Sequence, residues 1–153
     1  MPRCPSPLLA LALALCSPQA LAQAQPACDP AKAINASKEG MPLLKALVES
    51  MGIKGLASDR CRSMAAVLRM ATSAKFTAGS PLKTGTGPET AQVTAEIVQL
   101  RQNADAAREL DALAAQPQTT ERAMLEAALF HQHGAYTARD ARIAQARQLA
   151  GVQ

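Results

Sequence analysis

Two histidines separated by one residue, His131 and His133, have the clearest capacity for metal chemistry in this sequence. A His-x-His pair can chelate an ion from an extended strand, but on a helix residues two apart point about 200° away from each other. Where the chain unwinds before Gly134, Glu126 or Asp140 could add an oxygen ligand. The favoured alternative is that the histidines cap a helix C-terminus, where imidazolium is favourable beside the last carbonyls. We therefore expect no cofactor, and a helical metal-binding protein is the lesser alternative.

Cys28 and Cys61 are the second pair of residues that could do chemistry. Redox enzymes usually place their two thiols as Cys-x-x-Cys with a lowered pKa, and this pair is far more widely spaced. In an exported protein, two thiols within one small domain most simply form a disulfide. We predict the bond Cys28–Cys61, with two separately buried thiols as the alternative.

The sequence offers no strong catalytic constellation. No Gly-x-Ser-x-Gly motif surrounds the serines, so nothing favours a Ser-His-acid hydrolase. The segment 79–87, GSPLKTGTG, has the composition of a phosphate-binding loop, but a P-loop places its lysine directly after a glycine, whereas Lys83 precedes Gly85. We therefore predict a protein that is not an enzyme, with a flexible loop at 79–88.

The N-terminus has the layout of a secretory signal peptide. Arg3 gives a short positive region, and the apolar run Leu8–Cys16 follows it. A transmembrane helix needs roughly 20 apolar residues, about twice the length of this run. We predict a signal peptide at 1–22, with cleavage possible after residue 24 instead, and a single helical domain at 23–153.

Export places the mature protein in the periplasm or outside the cell, without a stable membrane anchor. A lipoprotein anchored through Cys16 is the disfavoured alternative, because Leu15 occupies the position where lipoprotein signals carry a small residue. Either form of the protein has the same sequence downstream.

Composition limits the classes of partner. The net charge of +4 is spread along the chain, and the aromatic residues are limited to Phe76, Phe130 and Tyr136. Nucleic-acid binding usually needs a basic stripe with stacking aromatics, so we expect no nucleic-acid partner. The core has to be built from aliphatic side chains and much alanine, which buries little area per residue. A disulfide would offset so thin a core.

Frequent helix start and stop signals, without a strand or hairpin pattern, predict an all-α fold. We expect a compact bundle of five or six helices with one disulfide, after a cleaved signal peptide. Asp29, Ser58 or Asp59, Thr119 or Thr120, and a capping-box-like segment from Thr137 to Asp140 are the predicted N-terminal caps. The predicted helices run over Pro30–Glu39, Pro42–Gly52, Ser58–Phe76, Pro88–Ala115, Pro117–Gly134 and Thr137–Ala150.

The fourth predicted helix is long, about 42 Å at 1.5 Å per residue. A near-heptad stripe defines its apolar face: Val93, Ile97, Leu100, Ala104, Ala107 and Ala114. Arg101 with Asp105, and Asp105 with Arg108, have the spacing of surface ion pairs. So long a helix would either bend near Asn103 or pair with a second copy, which makes a homodimer possible.

Four polar residues are candidates for contacts with a protein partner. Arg62 and Arg69 fall on the face of the third helix opposite Cys61, and Lys83 and Thr84 lie in the 79–88 loop. Functional contacts concentrate on loops that a rigid scaffold holds in place. The sequence thus favours an exported, non-catalytic protein that binds a protein partner, with an immunity or inhibitor role as one concrete version. A periplasmic chaperone or stress protein is the alternative in the same compartment.

Overall fold

A computed structural model describes residues 27–34, 41–53, 55–73 and 88–152. Within these ranges the chain forms α-helices and no strand, apart from an isolated antiparallel bridge between Cys28 and Leu56. The helices are α1 (Met41–Met51), α2 (Ser58–Thr72), α3 (Pro88–Leu100), α4 (Ala104–Ala114), α5 (Thr120–Gln132) and α6 (Tyr136–Leu149). This confirms the predicted all-α bundle and its helix number. In the described ranges, no helix combines the length and hydrophobicity that crossing a membrane requires.

Several predicted features fall outside the described residues. They are the signal peptide at 1–22, its cleavage sites, and the candidate contacts Lys83 and Thr84 in the loop. Of the first predicted helix, only the beginning is described, and there residues 30–33 form a turn. Asp29 makes the side-chain contact expected of the predicted N-terminal cap, because its Oδ1 accepts a hydrogen bond of 2.9 Å from Ala31 N.

Helix α1 follows the prediction closely. Pro42 lies in its first turn, where a missing N–H costs nothing. Leu44, Leu47 and Met51 are buried on one face. The helix ends at Met51, and the next residue, Gly52, has a φ of +65°, in the left-handed region that glycine adopts without strain.

The N-terminal segment is bound to the start of α2. A disulfide joins Cys28 to Cys61 with a Cα–Cα distance of 6.1 Å, which confirms the predicted bond. Cys28 N also donates to Leu56 O (2.9 Å), and Leu56 N donates back to Cys28 O (3.1 Å). Ile34 of the same segment is buried in the core. The segment 27–34 is therefore part of the packed structure.

This bridge explains why the prediction of Ser58 or Asp59 as the cap of α2 is wrong. The residue before the helix is Ala57, and no side chain caps it. Because the bridge to Cys28 holds Leu56 extended, the chain can enter the helix directly after it. The other end of α2 lies at Thr72, earlier than the predicted Phe76, and Ser73 is extended.

The long fourth helix of the prediction is two helices, α3 and α4. The break spans Arg101–Asn103, and Asn103 is the N-cap of α4, where its side chain accepts hydrogen bonds from Asp105 N (3.0 Å) and Ala106 N (3.1 Å). Asparagine competes for backbone hydrogen bonds in this way and is favoured at caps rather than in helix interiors. The predicted alternative of a bend near Asn103 is therefore confirmed, whereas a continuous helix of about 42 Å is wrong and gives no reason for a second copy.

The break also changes the buried face of α4. Ala104 and Ala114 of the predicted stripe are exposed, while Ala106, Leu110 and Leu113 are buried. Arg101 forms an ion pair with Asp111 at 2.8 Å instead of with Asp105. The predicted pair of Asp105 and Arg108 is present. The predicted heptad pattern does not continue into α4, because α4 is a separate helix that begins after Asn103 and buries a different set of residues.

Helices α5 and α6 form an antiparallel pair joined by a tight turn. Thr119 caps α5 as predicted, with its Oγ1 accepting from Arg122 N at 3.2 Å. The helix ends in a Schellman motif: Gly134 has φ +74°, Gly134 N donates to His131 O, and Ala135 N donates to Phe130 O. Helix α6 then begins at Tyr136, without a side-chain cap of its own, so the predicted cap at Thr137 is wrong.

Two clusters of buried side chains form the core. The larger one unites the N-terminal segment with α1, α2, α5 and α6, and includes Leu47, Met64, Leu68, Met124 and Ile143. The smaller one joins α3 and α4 to α5 and α6 through Leu100, Leu110, Leu113, Leu129 and Phe130. Helix α5 contributes to both clusters and therefore lies between the two halves of the bundle.

Candidate functional site

The best candidate for a functional site in the described residues is a small pocket where four helices end or begin. It lies at the C-terminal end of α3, the cap of α4 and the turn between α5 and α6, and has a volume of about 210 Å³. Its lining residues are Glu96, Gln99, Leu100, Asn103, His133, Gly134 and Ala135. Pockets for drug-sized molecules measure about 300–1,000 Å³, so this one matches a single side chain or a small ion.

Glu96 is the acidic side chain of the pocket, and it connects α3 to α6. Its Oε2 accepts a hydrogen bond of 2.9 Å from Ala138 N in the first turn of α6. Gln92 Nε2 donates to its Oε1 at the longer distance of 3.4 Å. The carboxylate therefore takes the place of the N-terminal cap that α6 lacks, and it lies where the helix dipole favours negative charge.

The electrostatics of Glu96 favour its ionised form. Burial acts to raise the pKa of this carboxyl, but hydrogen bonds from Ala138, Thr137 and Gln92 outweigh burial and lower the pKa below its ordinary value. All of these donors are neutral. The carboxylate thus carries its negative charge without a basic partner among the described ion pairs.

The remaining lining is polar and contains no lysine or arginine. Gln99, Asn103 and His133 are exposed, and the pocket lies beside the C-terminal ends of α3 and α5, which carry the negative end of the helix dipole. Leu100 and Ala135 supply the apolar part of the wall. The arrangement can hold a group that donates hydrogen bonds or carries positive charge.

The two histidines have different surroundings. His133 is the C-cap of α5 and lines the pocket, whereas His131 is half-buried beside Tyr136 and Arg139. Arg139 Nη1 lies 3.0 Å from His131 Nδ1, and since arginine can only donate, this ring nitrogen is the acceptor. Burial, followed by the charge of Arg139, lowers the pKa of His131, and Asp140 partly opposes this shift.

These contacts bear on the metal hypothesis. Nδ1 of His131 already accepts a hydrogen bond, and in the described ranges no three or more His, Cys, Asp or Glu side chains form a group that could hold a metal ion. His133 is the C-cap residue of α5, as the capping interpretation expected, whereas His131 lies in the last turn and its Nδ1 accepts from Arg139. Metal binding by His131 and His133 stays an untested alternative.

Arg62 and Arg69, the candidate partner contacts of α2, are both exposed and lie two turns apart on one face. Arg62 forms an ion pair with Asp59 in the same helix. Arg69 Nη2 donates to Ala33 O at 3.2 Å, so it helps to fix the N-terminal segment. The two arginines are far along the sequence from the pocket residues, and the structure gives them local partners.

A buried ion cluster is the main polar feature that the sequence did not predict. Glu126 in α5, with a side chain only 4% exposed, accepts from Arg122 Nε at 2.8 Å and from Arg142 Nε of α6. Arg122 Nη1 also donates to Gln116 O at 2.7 Å. The i, i+4 spacing of Arg122 and Glu126 was a possible signal, but the contribution of Arg142 depends on tertiary packing.

Two further arginines are buried at helix contacts. Arg60 of α2 forms an ion pair with Glu109 of α4, and Arg147 Nη1 of α6 donates to Ala71 O of α2 at 3.3 Å. Both connect helices that are distant in sequence. Like the contact between Glu126 and Arg142, each of these bonds joins two helices, so we interpret them as contacts that stabilise the bundle.

Comparisons of the chain with models of protein families, with curated proteins and with solved structures give no match, so its function has to be inferred from its own residues.

Proposed function

We propose that the protein is exported to the periplasm or secreted, and that it acts without catalysis by binding another protein. An immunity or inhibitor role is one concrete version of this function. The proposal combines the signal-peptide pattern of the N-terminus, the Cys28–Cys61 disulfide and the pocket beside Glu96.

The disulfide supports the proposed compartment. Disulfides form and persist in oxidising environments and are rare in the cytosol. Here the bond joins residues 33 apart in sequence. Cys61, which belongs to α2, is 1% exposed and therefore buried inside the bundle. A bond so placed serves structure, since a reactive redox pair needs access and a lowered pKa.

The proposal of protein binding is supported most directly by the volume and the lining of the pocket. A volume of about 210 Å³ is small for a substrate molecule but suits one side chain of a partner. Its polar lining contains a carboxylate, two amides and an imidazole. These groups would make the contact specific rather than non-specific. This is the observation that carries the proposal.

The described surface favours one specific partner over many unfolded clients. A chaperone should expose a contiguous apolar patch of several hundred Å². The large exposed hydrophobic residues in the described ranges are Val98 (58%), Tyr136 (52%) and Leu149 (45%). Tyr136 and Leu149 lie at opposite ends of α6, about 20 Å apart at 1.5 Å per residue.

The experiment is affinity capture with the disulfide-intact protein comprising residues 23–153, applied to the envelope extract of the organism that encodes it. Bound proteins are identified by mass spectrometry and then titrated individually by calorimetry. One partner with saturable 1:1 binding supports the proposal. Binding to many denatured proteins would favour the chaperone instead. If nothing binds specifically, the proposal is wrong.

A further inference from the structure

We propose that the pocket beside Glu96 receives a cationic side chain, arginine or lysine, of the protein partner. This inference rests on the proposed function and adds the chemistry of the contact. It starts from a carboxylate charge that none of the described ion pairs compensates.

Glu96 and Glu121 are half-buried carboxylates that take part in none of the described ion pairs, and of the two it is Glu96 that lines the pocket. Ion pairs with lysine or arginine are formed by Glu49, Asp59, Asp105, Glu109, Asp111, Glu126 and Asp140. Glu96 is held by neutral donors, of which Ala138 N at 2.9 Å is the shortest. Because an arginine or lysine beside a partly desolvated carboxylate gains more than one in bulk water, this position favours a cation from outside.

The shape of the pocket suits a long side chain with a charged end. Leu100 and Ala135 form an apolar wall against which the methylene stem of lysine or arginine can lie. Gln99 at the rim carries an amide oxygen that can accept from an additional N–H group, whereas the Asn103 oxygen already accepts from Asp105 N and Ala106 N. The lining contains no lysine or arginine that would repel the incoming charge.

The pocket also disfavours an anionic side chain. An aspartate or glutamate would meet the charge of Glu96 and the C-terminal ends of α3 and α5. The N-terminal ends of α4 and α6, which would attract an anion, are already capped by Asn103 and Glu96. Charge therefore selects the occupant.

The direct test is an NMR titration of the isotopically labelled protein with N-acetyl-arginine amide. N-acetyl-citrulline amide is the matched control, since it has the same shape without the charge. We expect the arginine compound to shift the backbone signals of Asn103, Gly134 and Ala135 in a saturable manner, and the citrulline compound to bind about fivefold more weakly. Equal binding of the two compounds, or shifts confined to other regions, would overturn the inference.

Two variants assign the binding to Glu96. Glu96→Gln removes the charge but keeps an oxygen that can accept from Ala138 N, and Gln99→Lys adds a positive charge at an exposed rim position without touching the cap. Both should weaken binding of the arginine compound by about fivefold or more. Glu49→Gln, which removes an exposed carboxylate of α1 far along the chain, should leave binding unchanged. Unchanged binding in Gln99→Lys would overturn the inference even if Glu96→Gln folded poorly.

Partner capture separates this inference from the function beneath it. If the wild-type protein binds one partner and both pocket variants bind it equally well, the inference is wrong and the proposed function stands. If the wild-type protein binds no partner, the proposed function fails, whatever the titration with the arginine compound shows.

Discussion

The Oε2 atom of Glu96 in α3 accepts a hydrogen bond of 2.9 Å from the backbone N–H of Ala138 in α6. A side chain from one helix thereby satisfies a donor at the start of another, 42 residues further along the chain. Helix α6 has no side-chain cap from its own N-terminal residues. The docking of α3 therefore supplies the side-chain cap of α6.

Removing this contact should destabilise the bundle. We expect Glu96→Ala to lower the free energy of unfolding by about 1 kcal/mol, the usual cost of losing an N-cap. Glu96→Gln should cost less, because an amide oxygen can still accept from Ala138 N. Urea unfolding followed by circular dichroism measures both. Equal losses in the two variants would show that the charge, and not the hydrogen bond, is what stabilises α6.

The same carboxylate predicts a dependence of stability on pH. The pKa of Glu96 is lower in the folded protein than its ordinary value, since its hydrogen bonds outweigh burial. Its contribution is thus complete above the unfolded carboxyl pKa of about 4.3 and is lost as the pH falls through the lower folded-state pKa. We expect the stability difference between wild type and Glu96→Gln to be constant near pH 7 and to shrink below about pH 4. A difference that grows on acidification would contradict this.

Glu126 should be among the most sensitive polar positions. Its carboxylate is 4% exposed and binds both Arg122 and Arg142, so Glu126→Gln leaves two half-buried guanidinium groups without a counter-charge. We expect a loss of about 3 kcal/mol in the free energy of unfolding, in the range for breaking a buried ion pair.

The control for Glu126→Gln is the same substitution in the exposed pair of Glu49 and Lys45, whose side chains are 67% and 74% exposed. Glu49→Gln should cost less than about 0.5 kcal/mol. Similar losses at the two sites, measured by urea unfolding under the same conditions, would mean that the buried cluster contributes little.

The disulfide should supply a large part of the stability. Cys28 and Cys61 are 33 residues apart, and cross-linking a loop of this length stabilises by about 3 to 4 kcal/mol in the chain-entropy model. We expect the variant with both cysteines replaced by alanine to unfold at a correspondingly lower urea concentration.

Arg69→Gln is the control for the disulfide variant, because it removes only the hydrogen bond to Ala33 O and leaves the disulfide in place. It should cost about 1 kcal/mol or less. If the unfolding midpoint of the oxidised wild type equals that of the disulfide variant, the bond does not constrain the unfolded chain as expected.

Local sequence signals predicted most of the helices correctly. Pro42 and Gly52 delimit α1, and Thr119 caps α5, because these residues act through their own backbone geometry or through a bond to a near neighbour. The disulfide was also predictable, since the predicted signal-peptide cleavage leaves two cysteines, which have one simple pairing. Each of these features follows either from a residue's own backbone preference, from a bond to a near neighbour in sequence, or from there being a single possible partner.

Most of the features that the sequence missed depend on tertiary contacts, and the break at Asn103 is the exception. The start of α2 depends on the bridge between Leu56 and Cys28, and the start of α6 depends on Glu96. Asn103 had the right chemistry for a cap, but a helical pattern on both sides of it made a continuous helix equally consistent with the sequence. The pocket combines residues from α3 with residues from the α5–α6 turn, and no local pattern connects them.

Helix α5 lies between the two hydrophobic clusters and contributes buried residues to both, among them Met124 to the larger and Phe130 to the smaller. If either cluster loses its packing, α5 loses contacts on one side. The position of α5 is then less well fixed, and this destabilises the other cluster as well. The two halves are therefore energetically coupled, and the bundle should unfold as one cooperative unit rather than as two independent ones. A partner that rigidifies the α3–α4 half would stabilise the disulfide-bonded half without touching it.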